Sequence, residues 1–378
     1  MSDEIKKGLL GIVVDETQVS KVMPEINSLT YRGYAVQDLC EMCRFEEAAY
    51  LILNGDLPNN IQLKRFEKEE KSNRDLTKNL SEIIKHMPKK SHPMDVARTA
   101  VSVMGLEDKE TTDNSPEANK RKAMRIFAKT PAALAAFYRI RKGKKIIKPK
   151  KNLTFAENFF YMCFGKVPNK EIVKAFDVSL ILYAEHSFNV STFTARTITS
   201  SLSDIHGAIT GAIASLKGPL HGGANADVMR LLLALGDDAD PPQIEGAILD
   251  KLARKEKIPG FGHRVYRTED PRATHLRRMS EELGTRSGRE QWYEMSRQIE
   301  VLVGHEKNLN PNVDFYSAST YYTLGIKVDL FTPVFAVSRV AGWTAHILEQ
   351  YANNRLIRPR ADYTGELHPK AFVAIDQR

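Results

Sequence analysis

Cysteine is scarce in this chain: only Cys40, Cys43 and Cys163 among 378 residues. An odd count with no export signal argues against a disulfide framework and for a reducing compartment, the cytoplasm. Cys40 and Cys43 form a C-x-x-C pair. No second Cys or His pair follows at zinc spacing, and no strand-to-helix redox context surrounds them, so both read as packing residues. Long apolar runs are also missing. MSDEIKKGLLGIVVDE holds a short one cut by Gly11, which excludes a signal peptide or a membrane span there, and no later run reaches membrane length. Of the histidines in unusual settings, His186, His221 and His263, none sits at the close spacing of H-E-x-x-H, so no metal is expected. G-x-S-x-G is absent, which sets aside a nucleophile-elbow hydrolase. GFGHRV lacks the third glycine and the preceding strand of a dinucleotide fingerprint, and there is no Walker loop.

What is present is ordinary for a soluble globular protein of one or two domains: 42% hydrophobic and 27% charged residues. The net charge is +8, and RIRKGKKIIKPKK, from Arg139 to Lys151, carries no acidic residue. It lacks interleaved aromatics, so a solvated loop is favoured over nucleic-acid binding, and a phosphate-rich ligand stays open. Helical periodicity dominates. EEAAYLILNG ends at Gly55; PMDVARTAVSVMG starts at Pro93 and stops at Gly105; Thr332 and Pro333 suit the start of TPVFAVSRVAGWTAHILEQYANN. Short β-candidates occur only near 9–14 and 145–148. In SDIHGAITGAIASLKG, Gly207 and Gly211 lie on one helix face and predict close helix–helix approach. The stretch from about 221 to 320 is more polar, after which the chain returns to apolar helix. The reading is mainly α, with a large domain formed by 1–220 and 321–378, a smaller one at 221–320, and a cleft between them.

Several segments carry chemistry. GFGHRVYRTEDPR, 260–272, sets His263 in a glycine turn followed by Arg264, Arg267 and Arg272, a composition suited to an anionic ligand. GPLHGGAN sets His221 just before a helix, whose N-terminus favours a neutral ring able to donate to a carbonyl oxygen. His186 ends an apolar helix. Asp314, in the loop NLNPNVDFYSAS, is flanked by aromatics that would desolvate it into a better base. Arg339 is embedded in an apolar helix and needs a partner. Arg358 and Arg360 flank Pro359 in a polar tail, where arginine forks suit carboxylates.

In order and spacing, YRGYAVQDL, HPMDVARTAVSVMG, YAEHSFNVSTFTAR, GPLHGGAN, GFGHRVYRTEDPR, NVDFYSA, LFTPVFAVSRVAGW and NNRLIRPRADYTG resemble the citrate synthase family across nearly the whole chain. The short dimeric subfamily that includes the 2-methylcitrate synthases is most similar. The resemblance implies a two-domain, mainly α fold and an acyltransferase that condenses oxaloacetate with acetyl-CoA or propionyl-CoA. It implies no tightly bound cofactor, the CoA thioester being a co-substrate. His221, His263 and Asp314 would be catalytic. His186, Arg272, Arg339 and Arg358 would hold oxaloacetate, Arg358 from the partner of a homodimer. Arg267, Gly260, Phe261, Gly262, Lys255 and Lys257 would meet CoA. The large domain would dimerise and bind oxaloacetate; the small one would bind CoA and move. The alternatives are a dedicated citrate synthase with little propionyl-CoA activity, and a non-catalytic CoA- or dicarboxylate-binding protein on the same fold. Neither nucleic acid nor membrane is an expected partner.

Overall fold

A computed structural model describes residues 5–263, 265–266, 269–366 and 368–378. Its one named sheet is small and lies near the start: β1 (Ser20–Met23), β2 (Ser28–Tyr31) and β3 (Tyr34–Ala35), antiparallel in that order. Ser20 pairs with Tyr31, and Tyr31 with Tyr34. Arg32 and Gly33 both take positive φ between β2 and β3, the two-residue turn that matches strand twist. The stretch 9–14, expected as a strand, instead starts on the last residue of a 3-10 turn (Lys7–Leu9) and continues without strand pairing, and 145–148, also expected as a strand, is irregular. Val13 is 89% exposed, and an apolar run without a neighbouring strand has nothing to pair with.

Sixteen α-helices follow among the described residues: α1 (Val36–Met42), α2 (Phe45–Asn54), α3 (Asn60–Ser72), α4 (Lys78–His86), α5 (Pro93–Glu107), α6 (Pro116–Arg141), α7 (Phe155–Phe164), α8 (Lys170–Tyr183), α9 (Val190–Ser200), α10 (Ile205–Leu216), α11 (Ala224–Leu235), α12 (Pro241–Ala253), α13 (Pro271–Ser287), α14 (Gln291–Lys307), α15 (Val313–Thr323) and α16 (Phe331–Ala352). Their ends follow side-chain chemistry. Asn59, Thr77, Ser115, Thr154, Asn169, Asn189, Asp204 and Asp240 each accept from a backbone N–H in the first turn of the helix they precede. Gly55 closes α2 in the left-handed conformation.

α16 is buried on nearly every side, the signature of a helix at the centre of a bundle. It packs against α2, α6, α8, α9 and α10. The helices α11 to α15 pack chiefly on one another, and meet the rest through α1, α8 and α16. The small-residue face of α10 behaves as its spacing predicts: a Cβ at Gly211 would collide with Ile198 of α9. Gly105 is not a helix stop. α5 runs two residues further, and a Cβ at Gly105 would sit 2.9 Å from His206 Cβ. Thr332 does not cap α16, which starts one residue earlier; its hydroxyl donates to the Gly222 carbonyl, 3.0 Å away. The three cysteines are buried and unbridged.

The basic run is partly consumed by local structure. Arg139 donates to the Lys145 and Cys163 carbonyls, Arg141 pairs with Asp329, and the Lys150 ammonium lies 4.3 Å from the centre of the Tyr161 ring. No described helix is long and apolar enough to cross a membrane.

Candidate active site

Four segments that are distant in sequence meet where α8 ends, α9, α11 and α15 begin, and α16 passes beneath. The loop after α8 is fixed from the sheet side. The Tyr31 hydroxyl donates to the Ile181 carbonyl (2.9 Å) and lies 3.1 Å from the Glu185 carbonyl. Ser20 donates to Glu185 Oε1 (2.9 Å) and accepts from the Ser187 N–H. Glu185 is wholly buried, and His346 also meets its Oε1 at 2.9 Å. His186 therefore hangs from a rigid corner, three residues past the helix it was expected to end. Its ring is buried, and Nε2 has no partner among the described residues. Burial, with Arg272, His263 and Arg339 nearby, holds its pKa well below the ordinary histidine value.

The His263 ring stands edge-on to His186, centroids 5.2 Å apart, and Tyr266 borders both. His263 Nδ1 accepts from the Val265 and Tyr266 N–H groups, each at 3.0 Å. A backbone N–H can only donate, so Nδ1 offers its lone pair and Nε2 carries the proton. Burial, then Arg272, pushes the ring down to about 4, so His263 is a neutral donor near pH 7. Its loop is clamped to the segment before α15. Gly262 N–H donates to the Asn310 carbonyl, Asn312 N–H to the Gly260 carbonyl, and the Asn312 side chain to the Gly262 carbonyl. The Phe261 ring packs on Phe315 at 4.6 Å. Gly260, at φ +80°, leaves no room for a Cβ between Val228 and Phe315.

That clamp ties the loop carrying His263 to the segment that leads into Asp314. Asp314 is not in a loop, as expected, but is the second residue of α15, with Asn312 as the N-cap. Its carboxylate is buried, and Oδ1 accepts from the Tyr183 hydroxyl at 2.9 Å. Burial pushes its pKa up to about 6, against the downward pull of that bond and of Arg272 and Arg339. Near neutral pH it is therefore a base of unusually high proton affinity for a carboxylate.

His221 lies two residues before Gly223, the N-cap of α11. Its Nε2 accepts from the Ser191 N–H (3.3 Å) and lies 2.8 Å from Ser191 Oγ. The indole N–H of Trp343 reaches the same Oγ. The lone pair thus lies on Nε2, and the proton on Nδ1. Burial, then Arg339, pushes this ring down to about 4. A helix terminus was the expected cause; desolvation and a guanidinium dominate instead. Phe335 bridges the two sides, 6.5 Å from His221 and 4.3 Å from Tyr183 between ring centres.

Two buried guanidiniums complete the cluster. Arg272 is gripped by Asp270 through Nε (3.0 Å) and Nη2 (2.7 Å). Burial alone would lower its pKa, but the Asp270 carboxylate outweighs that and raises it. Arg339 donates Nε to the Tyr183 carbonyl at 2.7 Å and lies over the Phe335 ring. Its terminal nitrogens have no protein hydrogen bond among the described residues. Burial lowers its pKa to about 10, opposed by Glu185. Two guanidiniums, one of them already paired with Asp270, an unpartnered imidazole nitrogen and neutral N–H donors beside the Asp314 carboxylate make a receptor for a small anion beside a base.

Not every expected residue joins. Arg267 lies outside the described residues. Lys255 and Lys257 are exposed, before the Gly260 loop. Arg358 is exposed in the tail after α16. Asn354 and Ile357 are tied to Ser200, at the far end of α9 from His186 and Asn189, about 16 Å away by helix rise. Asp270, Tyr183, Ser191, Glu185 and Phe335 were not singled out from sequence, although each lies within a segment that was. Among the described residues no cluster of His, Cys, Asp or Glu could hold a metal.

The model of the citrate synthase C-terminal domain matches residues 8–360. Citrate synthase 2 of Bacillus subtilis is 50% identical over 98% of this chain and 99% of its own. The 2-methylcitrate synthase of Mycobacterium tuberculosis is 47% identical over 96% and 91%. Among solved structures, citrate synthase from Thermoplasma acidophilum, in a ternary complex with carboxymethyl coenzyme A and oxaloacetate, superposes with a TM-score of 0.94 at 31% identity, covering both chains completely. The match runs the length of the chain in both sequence and fold, and the protein belongs to the citrate synthase family.

Proposed function

We propose that the protein joins the α-carbon of acetyl-CoA or propionyl-CoA to the ketone of oxaloacetate, and that water then releases citrate or 2-methylcitrate and CoA. Family membership makes it an acyltransferase-type enzyme acting on a CoA thioester. The observation that carries the chemical assignment is the pairing of a buried base, Asp314, with two neutral imidazole donors. An α-proton next to a thioester is removed only if negative charge on the thioester oxygen is stabilised as it forms. Asp314 takes that proton, and His221 donates Nδ1–H to the oxygen. His263 donates Nε2–H to the oxaloacetate ketone as the new bond forms. A neutral donor suits this task, because its proton affinity lies closer to that of the enolate than an imidazolium's would.

His186, Arg272 and Arg339 hold the oxaloacetate carboxylates, joined by Arg358 from a second copy of the chain in a homodimer. Its distance from the site within one protomer fits that arrangement. CoA lies along the Gly260–Gly262 loop, with Phe261, Arg267, Lys255 and Lys257 along its rim. Residues 221–320 form a smaller domain that closes over 1–220 and 321–378 and excludes water from the enol. The reaction needs no bound cofactor or metal, and the cytoplasm supplies both substrates.

Relatives of both names match at nearly equal identity, so the acyl preference is open between them. Thiol release with oxaloacetate, compared as kcat/KM for acetyl-CoA and propionyl-CoA, tests the reading. Higher propionyl efficiency marks a 2-methylcitrate synthase, and higher acetyl efficiency a citrate synthase. No thiol release from folded protein with either would overturn the reading in favour of a binding protein.

A further inference from the structure

Tyr183 carries more connections in the site than any residue assigned a role above. Its hydroxyl lies 2.9 Å from Asp314 Oδ1 and 2.7 Å from Ser317 Oγ, and Ser317 Oγ lies 3.0 Å from the Asp314 carbonyl. Its own carbonyl holds Arg339, and its ring packs on Phe335. Tyr183 is completely buried, as is Ser317, so neither hydroxyl can turn to water.

Two hydroxyl protons are shared among Asp314 Oδ1, the Asp314 carbonyl and the two hydroxyl oxygens, with the Val313 carbonyl at a distant 3.5 Å from Tyr183, and two arrangements place a proton in the short Tyr183–Ser317 contact. In one, Tyr183 donates to Asp314 Oδ1, and Ser317 donates to Tyr183. In the other, Tyr183 donates to Ser317, and Ser317 donates to the Asp314 carbonyl. A carboxylate anion favours the first, because a charged acceptor makes the stronger bond. A carboxylic acid gains less from that donor, so the second competes. Tyr183 occupies Asp314 Oδ1, and no described residue donates to Oδ2, so Oδ2 is the oxygen free to meet a substrate proton.

We propose that Tyr183 and Ser317 are positioning residues for the base: they aim Asp314 Oδ2 at the substrate and reverse their hydroxyl protons as it gains and loses the α-proton. The proposal rests on the reaction assigned above. In the step concerned, the α-carbon–hydrogen bond breaks, its electron pair becomes the carbon–carbon π-bond of the enolate, the thioester carbonyl π-pair moves onto the oxygen that the His221 N–H meets, and the proton joins Oδ2. Tyr183 and Ser317 turn without being ionised. The other groups facing Asp314 are Arg272 and Asp270 at the start of α13, Arg339 on α16, and Tyr321 on α15 through Tyr183. Neither guanidinium titrates near neutrality, so the hydroxyl pair is the part of this surrounding that can respond to the proton.

The test is Tyr183→Phe, with Ser317→Ala as a smaller perturbation of the same pair. Tyr183→Phe removes a bond that favours the anion, so the acidic limb of kcat/KM should move up by about one pH unit. The kcat should fall about 10- to 100-fold, with oxaloacetate affinity changed less than about threefold, because only the base is disturbed. Ser317→Ala should move the limb the same way by less. A folded Tyr183→Phe enzyme with the wild-type limb and kcat would overturn the proposal. If that variant does not fold, an unmoved limb in Ser317→Ala would do so. If the wild type releases no thiol, the assigned reaction falls, and the pair is judged by the titration of Asp314 itself. That is followed by carboxyl-carbon NMR of aspartate-labelled protein, with Asp314→Asn for assignment. Identical titration with and without the Tyr183 hydroxyl would refute it.

Discussion

Replacing Asp270 with alanine should damage both stability and turnover, for reasons that can be separated. Asp270 is 1% exposed and accepts four bonds: Arg272 Nε and Nη2, the Arg272 N–H, and the Val313 N–H at 3.2 Å. The first two neutralise a guanidinium that is itself 3% exposed. Removing one partner of a buried pair costs about 3–5 kcal/mol, mostly as the burden of the charge left behind. With an unfolding entropy of about 2.1 cal/mol/K per residue, hence roughly 0.8 kcal/mol/K for this chain, Tm should fall by about 4–6 °C. The fourth bond holds the first residue of α15, next to Asp314. Losing it loosens the base, and a misplacement near 1 Å costs on the order of 100-fold in rate. Asp270→Asn keeps an acceptor for the backbone while deleting the charge, so it should lower Tm by a similar amount and spare more of kcat. Thermal unfolding with and without oxaloacetate, beside thiol-release kinetics, reads both effects. Oxaloacetate should restore more Tm to Asp270→Ala than to wild type, since its carboxylate replaces the missing countercharge. A folded Asp270→Ala protein with wild-type Tm would refute the account of Arg272.

Asp314→Asn should lower kcat by about 100- to 10,000-fold, the contribution of a positioned base, while oxaloacetate still binds by calorimetry; wild-type turnover would remove Asp314 from that role. Mixed dimers of Arg358→Leu and His263→Ala subunits should regain activity that neither parent has, and no recovery in heterodimers shown to form would exclude a shared site. Asp177, buried beside Glu46, is pushed up to about 8 by that burial and that neighbour, from about 3.9 in the unfolded chain. The folded state therefore holds a proton that the unfolded state releases, so this contribution is complete below about pH 4 and lost as pH rises through about 8. Asp177→Asn should gain Tm relative to wild type between pH 6 and 9, and parallel curves would contradict the shift.

Helices whose ends are written in side chains were readable from sequence. α2 closes at Gly55 and α5 opens at Pro93, each fixed by a local rule. Errors arose where a residue's neighbour lies far along the chain. Gly105 looked like a stop because glycine often ends helices, yet its reason is the approach of His206, 101 positions away. The apolar run near 9–14 looked like a strand, but a strand is a property of two segments, and no second one pairs with it among the described residues. The hairpin that does form carries its signal in Arg32-Gly33, where both residues take positive φ.

The site divides along the same line. Residues inside a glycine or aromatic setting, such as His221, His263 and Asp314, are picked out by that setting, although the setting alone does not give any of them a role. Residues that set protonation states are not picked out in this way. Ser191 fixes the His221 tautomer across 30 positions, and Tyr183 reaches Asp314 across 131. No spacing rule joins such pairs, because the connection is made by tertiary packing: α8 and α9 lie on α16, which also meets α11, and α11 packs on α15. Yet these contacts decide whether an imidazole donates from Nδ1 or Nε2, and whether a carboxylate is a base at pH 7. The reactive side chains are consequently readable one at a time. Their proton affinities belong to the packed cluster and are found only when it is assembled.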